Sequence, residues 1–208
     1  MSKKPSKTDP RVMRTRQLLR DALIALIHEK GFDAVKTQDI TARATLNRAT
    51  FYLHYRDKND LLIKSLHEVL EELDGAVNVP RIRNNRLSAD AIIKPLVTIF
   101  EHFAQHAEFY RVMLCEAGVP SILDELQQYI ETVALQWITE LQPHSDLRIV
   151  DPNMVIRFAS TAYIGVVKWW LENDFPHSTE QITEQFLWLI SLGIFRSIGL
   201  EVPSSVGK

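Results

Sequence analysis

Apolar residues recur at helical spacing along almost the whole of this chain, in segments separated by short polar loops. The first segment begins at Asp9-Pro10, because Asp caps helices and Pro is tolerated at the first helical position, and it ends at Gly31. Asp151-Pro152 repeats this start signal, and Ser178 with Gln181 forms a capping box before the last segment. No stretch alternates between apolar and polar residues as a half-buried strand does. The pattern predicts an all-α fold of about nine helices.

Two short helical patterns lie close together between residues 38 and 62, with a polar turn at residues 45–47 between them. Thr37 is predicted to cap the first of these helices and Asn47 the second, because such side chains accept hydrogen bonds from first-turn amides. Ile40 and Phe51 fall on the inner faces of the pair. The polar residues of the second short helix lie on its free face, and this helix is small enough to enter a DNA major groove.

A fourth helix, at about residues 58–77, leads to an irregular, arginine-containing segment at residues 78–88. Beyond it the pattern is helical again, with Pro95 either kinking the next helix or marking its start. A short helix at residues 108–116 follows, and the last helix is predicted to end at Gly199. We therefore divide the chain into a head at residues 1–60, the connecting fourth helix, and a body at residues 78–208.

The composition is typical of a folded helical protein, with 46% hydrophobic residues but only 7 Gly and 9 Pro. Residues 1–60 hold 13 Lys and Arg against 7 Asp and Glu, whereas residues 61–208 hold 11 against 19. A basic head on an acidic body suits a protein that presents one end to a polyanion. Near the start of the first helix, Arg14, Arg16 and Arg20 either contact phosphates or are ordinary surface charges.

The sequence also indicates a cellular compartment. A single cysteine excludes an internal disulfide framework and is typical of a reducing environment. No apolar run reaches the length of a membrane span, and the first residues contain no signal-peptide core. We therefore expect a cytoplasmic protein that does not associate with membranes.

The run NRATFYLHYRDKNDLL at residues 47–62 resembles the DNA-binding signature of the TetR/AcrR family of bacterial repressors. The resemblance is tight over residues 14–62 and looser beyond, where residues 109–114 and 165–172 resemble one subgroup. Thr41 and Thr45 depart from the Ala and Gly that helix-turn-helices often carry, so the turn geometry is expected to differ slightly. Tyr55 replaces the more usual Phe and adds a hydroxyl that needs a partner. The resemblance implies a transcriptional regulator, most often a repressor, and not an enzyme.

The resemblance also implies a division of roles within the head. Phosphate contacts are expected from side chains at helix starts and on the second short helix, namely Thr37, Thr50, Tyr52, His54 and Lys58. Base reading would fall mainly to Asn47 and Arg48, with Gln38 as a third candidate, because such side chains pair bidentately with adenine or guanine. Asn47 is alternatively a helix cap and nothing more.

The last two helices carry more apolar surface than one monomer core covers, so we expect them to pack against a second copy of the chain. The resemblance implies that the matching helices of two subunits form a four-helix interface. The candidate interface residues are Phe158, Ala162, Trp169, Phe186 and Ile190. Burial of both helices within one monomer is the alternative. A homodimer would present two reading helices to a near-palindromic double-stranded DNA operator.

The middle helices are where similar proteins enclose a small-molecule effector, in an apolar cavity with few polar groups. The candidate lining residues are Phe100, Phe103, Tyr110, Met113, Trp137 and Tyr163, although core packing alone would also explain each of them. His102 and His106 lie four residues apart, a spacing that can bind a metal ion, but no third ligand is evident. We therefore predict no metal site and no cofactor.

Two further hypotheses compete with a ligand-responsive repressor. A helical enzyme or small-molecule carrier has no support from a metal-ligand set, a glycine-rich phosphate loop or a nucleophile elbow, since the sequence contains none of these motifs. A family member that acts without a small-molecule effector is the second alternative. The identity of the effector, the operator and the direction of regulation are left open by the sequence.

Overall fold

The structure, a computed structural model, describes residues 9–73, 77, 89–116, 119–141 and 150–197. These ranges contain nine α-helices and no strand, which confirms the predicted all-α fold. The helices are α1 (Pro10–Lys30), α2 (Thr37–Arg43), α3 (Arg48–His54), α4 (Lys58–Leu70), α5 (Ala89–Gln105), α6 (Ala107–Arg111), α7 (Pro120–Leu141), α8 (Pro152–Glu172) and α9 (Thr179–Ser197). The predicted connection at residues 78–88 and the predicted helix end at Gly199 lie outside the described residues.

The predicted helix ends at Asp9, Gly31 and Asp151 are confirmed by their hydrogen bonds and backbone angles. A carboxylate oxygen of Asp9 accepts from the Arg11 amide at 2.9 Å, and one of Asp151 accepts from the Asn153 amide at 2.7 Å. Gly31 ends α1 at φ +75°, a conformation that glycine adopts without steric cost. Local sequence chemistry therefore determines where these helices begin and end.

The predicted capping box before α9 is also present. The Ser178 amide donates to the side-chain carbonyl of Gln181 at 3.0 Å, and the Gln181 amide donates to the Ser178 hydroxyl at 3.3 Å. Because each side chain satisfies the other residue's backbone donor, two amides of the first turn have partners.

Four boundaries differ from the predictions, and the first is the end of α4, which lies at Leu70 and not near residue 77. Thr37 is the first residue of α2 and not its cap, because the chain enters the helix at Lys36, whose amide donates to the Asp39 carboxylate at 2.9 Å. Pro95 lies inside α5, so it does not mark the start of that helix. The short helix predicted at residues 108–116 is α6 followed by a π-helical turn, Val112–Glu116.

The head is built from α1, α2 and α3 around a small apolar core. Leu23, Ile27, Ile40 and Phe51 are at most 2% exposed, and Phe51 is the residue through which α3 is held. Thr45, in the turn before α3, has φ +55°, a left-handed conformation that is strained for a β-branched side chain. The departure noted from the sequence at this position therefore appears as backbone strain in the turn.

Helix α4 connects the head to the body, since it packs against both α1 and α7. Arg16 of α1 forms an ion pair with Glu68 at 2.8 Å, and His67 lies 2.9 Å from Glu125 of α7. A 3₁₀ turn, Glu71–Leu73, continues α4 into the body. The head and the body are therefore joined through one continuous element.

The body packs α5 against α9 and α7 against α8 around an aromatic core. The ring of Phe100 lies 5.1 Å from Tyr163 and 5.5 Å from Trp170. The Trp170 indole also donates to the His177 carbonyl at 2.9 Å, which fixes the corner between α8 and α9. Among the described helices, none combines the length and the hydrophobicity needed to cross a membrane.

Candidate nucleic-acid interface and effector cavity

Helix α3 has one buried and one exposed face. Phe51 is fully buried, whereas Tyr52 is 51% and Leu53 80% exposed. Arg48, one turn before Tyr52, is also exposed. Because the buried ring of Phe51 anchors α3 in the core of the head, the opposite face of the helix is held toward solvent in a defined orientation.

Asn47 caps α3, as the sequence predicted. Its side-chain carbonyl oxygen accepts from the Thr50 amide at 2.7 Å and from the Thr50 hydroxyl at 2.9 Å. A bidentate pair with adenine requires both that oxygen and the amide nitrogen. The cap therefore leaves only the nitrogen of Asn47 available for a base edge.

The fold brings Thr37, Arg48 and Tyr52 together at the start of α2 and the exposed face of α3. The Arg48 guanidinium donates to the Tyr52 hydroxyl at 3.4 Å. Hydrogen bonds from Arg48 first and from Thr37 second hold the pKa of the Tyr52 phenol below its ordinary value. Gln38 follows Thr37 on α2 and is exposed. Thr37, Arg48 and Tyr52 form one polar surface, which we call the α2–α3 surface.

His54 lies at the far end of α3 and is half-buried. Burial first, and then the positive charge of Arg16, lower the pKa of its imidazole below the ordinary value. The ring is therefore neutral near pH 7. His54 can therefore contact a phosphate only as a neutral hydrogen-bond donor. The influence of Arg16 on its ring also indicates that the start of α1 lies beside the end of α3.

Lys58 makes contacts within the chain that compete with the phosphate contact that the resemblance implied. Its ammonium donates to the carbonyls of Phe32, Asp33 and Val35 at 2.7, 3.1 and 3.0 Å, and it lies 4.5 Å from the centre of the Phe32 ring. An ammonium has three donors, and all three are used here. Lys58 therefore ties the start of α4 to the loop between α1 and α2.

Replacing Lys58 with Ala is expected to lower the free energy of unfolding by about 1.5–3 kcal/mol, because three carbonyls lose a charged donor. The salt dependence of DNA binding should stay unchanged, since no phosphate contact is removed. Urea unfolding and binding titrations across a salt series measure the two effects.

Arg14→Ala is the matched control, because Arg14 is exposed. It should leave stability within about 0.5 kcal/mol of the parent and reduce the salt slope by about one per subunit. If Lys58→Ala instead reduced the slope of the salt dependence and left stability unchanged, Lys58 would be assigned as a phosphate contact.

A second candidate site is an apolar cavity of about 160 Å³ in the body. Of the six effector-lining residues predicted from the sequence, Phe103, Trp137 and Tyr163 line it. The other three, Phe100, Tyr110 and Met113, are buried core residues that do not line it. The helical periodicity correctly identified the positions that face inward. Only the packing of the helices shows which of these residues line the cavity and which are buried elsewhere in the core.

The cavity wall includes the C-terminal end of α4, which the sequence did not indicate. Leu70 and Leu73 line the cavity, and the hydroxyl of Tyr129, another lining residue, donates to the Leu70 carbonyl at 3.4 Å. The hydroxyl of Tyr163 is buried and has no hydrogen-bond partner among the described residues. The cavity thus combines an almost wholly apolar wall with direct contact to the helix that leads to the head.

The predicted dimer residues lie on two different sides of the last helices. Phe158 and Trp169 are 58% and 44% exposed, and Ala162 is half-buried. Phe186 is only 4% exposed, because its ring packs against Tyr163 inside the body, and both Phe186 and Ile190 line the cavity. Among the side chains of α9 that the structure describes, as far as Ile190, the large exposed apolar residues are instead Trp188 and Leu189, at 55% and 74%. Uniform hydrophobicity along α9 concealed this division in the sequence.

Two family sequence profiles match the chain. The profile described as bacterial regulatory proteins of the tetR family matches residues 19–64, which include all of α2 and α3. The profile of a TetR transcriptional regulator C-terminal region matches residues 90–192. The chain belongs to the TetR family.

Curated TetR-family relatives are distant. The uncharacterized HTH-type transcriptional regulator YxbF of Bacillus subtilis is 24% identical over 200 residues, which make up 94% of this chain and 49% of that protein. A second Bacillus subtilis regulator, YerO, is 25% identical over 114 residues, or 54% of this chain and 39% of that protein. The chain thus spans about half or less of the length of these relatives.

Solved structures show the same TetR-family fold. A TetR transcriptional regulator from Streptococcus agalactiae superposes with a TM-score of 0.65 at 20% identity, over 86% of this chain and 95% of that one. The regulator FadR of Bacillus subtilis, solved in complex with stearoyl-CoA, gives 0.58 at 15% identity, over 86% and 98%. At these identities the likeness establishes the fold alone.

Leu53 is the site residue that sequence reasoning missed in this TetR-family head. Its 80% exposure on the free face of α3 is unusual for leucine, and such a side chain can contact the methyl group of thymine. The sequence contained the signal, because Phe51 and Leu53 cannot both face the core of a helix as short as α3.

Proposed function

We propose that this chain is a transcriptional regulator that binds a near-palindromic operator as a homodimer and represses until an apolar effector releases it. The observation that carries the proposal is the α2–α3 surface, in which Arg48, Tyr52 and Thr37 face outward while Phe51 fixes α3 from behind. Arg48 is the main base reader, because a guanidinium pairs bidentately with guanine. Thr37, Thr50, Tyr52 and His54 hold the phosphates, which set the register of the helix on DNA.

The homodimer is supported by an exposed apolar surface on the last two helices. Met154 and Phe158 of α8 are 64% and 58% exposed, and Trp169, Trp188 and Leu189 add to this surface. Isolated apolar residues are common on protein surfaces, but a group of large ones on two adjacent helices marks an interface. A second copy of the chain buries these residues and supplies the second reading helix.

Release by an effector is supported by the position of the cavity. Leu70 and Leu73 belong to the element that links head and body, and they form part of the cavity wall. A ligand that favours a tilted position of α4 would change the separation of the two α3 helices in the dimer. It shifts the population toward a form that no longer fits both half-sites.

The effector is a mainly apolar compound with a single hydrogen-bond acceptor. The cavity is lined almost wholly by apolar side chains, and the unpaired Tyr163 hydroxyl supplies the donor for one acceptor. At about 160 Å³ it is close to the roughly 150 Å³ of an engineered cavity that holds benzene, so longer ligands require it to widen. The FadR neighbour of the same fold was solved with stearoyl-CoA, a ligand with a long apolar acyl chain.

DNA recognition is tested by titrating the full chain against DNA from upstream of its own gene and against a random duplex of equal length. The parent protein should prefer the upstream DNA, and Arg48→Ala should lose about 1–3 kcal/mol of that discrimination in each subunit. Arg43→Ala is the control, because Arg43 is already paired with Glu29 at 2.6 Å. Equal affinity of the parent protein for both duplexes would refute sequence-specific recognition.

Effector binding is tested by melting shifts of the full chain with a panel of small aromatic compounds and fatty acids. A compound that raises the melting temperature should bind Tyr163→Phe about 2- to 10-fold more weakly, the effect of one neutral hydrogen bond. Tyr55→Phe is the matched control, because Tyr55 also has a buried, unpaired hydroxyl but lies in the head. If no compound shifts the melting temperature, a regulator without an effector is favoured instead.

A further inference from the structure

Glu72, His102 and His106 form a cluster between the end of α4 and the middle of the body. Each residue offers one ligand atom, and the three atoms lie within 4.8 Å of one another. Nε2 of His106 is 2.8 Å from a carboxylate oxygen of Glu72, and the two imidazole rings are centred 4.7 Å apart. The sequence suggested the histidine pair only, because Glu72 is 30 positions away from His102.

The fold explains how these residues meet. His102 lies in the last turn of α5, and His106 follows the end of that helix with its amide donating to the His102 carbonyl at 3.1 Å, so the two rings lie side by side. Glu72 belongs to the 3₁₀ turn after α4, which lies beside the His106 ring. The cluster therefore joins the helix that leads to the head with a helix of the body.

The donor set is one that transition metals use. Two imidazoles and a carboxylate bind zinc in catalytic sites and leave a fourth position for water or another ligand. Imidazole nitrogen suits zinc, nickel and cobalt, whereas magnesium and calcium prefer oxygen ligands alone.

The surroundings of the cluster favour binding. His102 is only 5% exposed, so its imidazole is held in a fixed position inside the body. The Tyr110 hydroxyl lies 3.0 Å from Nε2 of His102 and helps to hold the ring. His106 lines a polar cleft of about 230 Å³ between α1 and α6, which provides a path for an ion.

Two other histidine–carboxylate pairs show what distinguishes the cluster. His28 with Glu116 and His67 with Glu125 each join one imidazole to one carboxylate, and these histidines are 74% and 51% exposed. Within the described ranges, neither pair has a third ligand, whereas the cluster has three and one of them is buried. An ordinary ion pair on the surface needs neither a third ligand nor a buried imidazole.

We propose that Glu72, His102 and His106 bind one divalent transition-metal ion of the zinc class. The ion links the end of α4 to α5 and stabilises the arrangement of head and body. This binding does not depend on the proposed DNA recognition or on the apolar effector. Its failure or success is therefore separate from theirs.

The test is a titration of the chelator-treated full chain with Co²⁺, followed by visible absorption, and then competition with Zn²⁺. We expect one equivalent of Co²⁺ with the ligand-field bands of a four- or five-coordinate site. Loss of a residue that only supports a ligand weakens metal binding about 10- to 100-fold, so Glu72→Gln and His106→Ala should each weaken it at least that much. Glu72→Gln keeps the side-chain shape at an exposed position, so it tests the site even if His106→Ala does not fold.

His67→Ala is the matched control, since it removes a histidine from a pair that lacks the third ligand. It should bind Co²⁺ as the parent protein does. Three results would overturn the proposal: no binding by the parent protein, equal affinity in Glu72→Gln, or a loss in His67→Ala as large as in His106→Ala.

Discussion

Raising the monovalent salt concentration from about 50 to 200 mM is expected to weaken operator binding by about a thousandfold. Arg14 and Lys36 are exposed, and Arg48 lies on the α2–α3 surface, so the proposed homodimer would bring six such cations toward DNA. Each neutralised phosphate contributes about −0.9 to the slope of log K against log salt, which gives a slope of about −5. Fluorescence anisotropy with a labelled duplex across a salt series measures this slope directly.

The control separates DNA-facing cations from other charges in the head. Arg43→Ala should leave the slope unchanged, because Arg43 is paired with Glu29, whereas Arg14→Ala should reduce it. A random duplex should give nearly the same slope, since phosphate contacts do not depend on sequence. A flat salt dependence of the parent protein would contradict the proposed interface.

Replacing Phe51 with Ala is expected to lower the free energy of unfolding by about 3–5 kcal/mol. Phe51 is fully buried and packs against the rings of Tyr52 at 5.4 Å and Tyr55 at 5.7 Å. The lost stability combines the favourable free energy of burying the aromatic ring with the cost of the cavity that its removal leaves behind. Because the free energy of unfolding of a domain is only about 5–15 kcal/mol, this substitution would remove a large part of it. Urea unfolding followed by circular dichroism measures it.

Leu53→Ala is the matched control for Phe51→Ala on the same short helix. Leu53 is 80% exposed, so its replacement should change stability by no more than about 0.5 kcal/mol. It should nevertheless weaken binding to an operator in which it contacts a thymine methyl group. Similar losses of stability from both substitutions would mean that α3 does not have the buried and exposed faces described above.

Within the head, local sequence chemistry was sufficient to predict most of the structure. Asp9, Gly31 and Asn47 define helix ends through interactions that span only a few residues, so they can be recognised without the fold. Lys58 could not be assigned in this way. Its three carbonyl partners lie 23 to 26 positions earlier in the chain, and only the packing of α4 against the α1–α2 loop brings them together.

In the body, the sequence predicted which positions face inward but not what they enclose. Phe100 and Phe103 are both buried on α5, yet only Phe103 lines the cavity. Phe186 was expected at a dimer interface, and it packs against Tyr163 inside the chain. A helical period fixes the direction of a side chain relative to its own helix, whereas cavities depend on how several helices are placed relative to one another.

The sequence by itself determined the all-α fold, the positions of most of the helix caps and the family to which the chain belongs. These properties rest on short-range periodicity, hydrogen bonds within one turn, and a contiguous motif at residues 47–62. Only the tertiary structure decided that Lys58 is bonded internally, that Leu73 borders the cavity, and that Glu72 joins His102 and His106. Each of these depends on contacts between residues far apart in the chain, which the packing of separate helices creates.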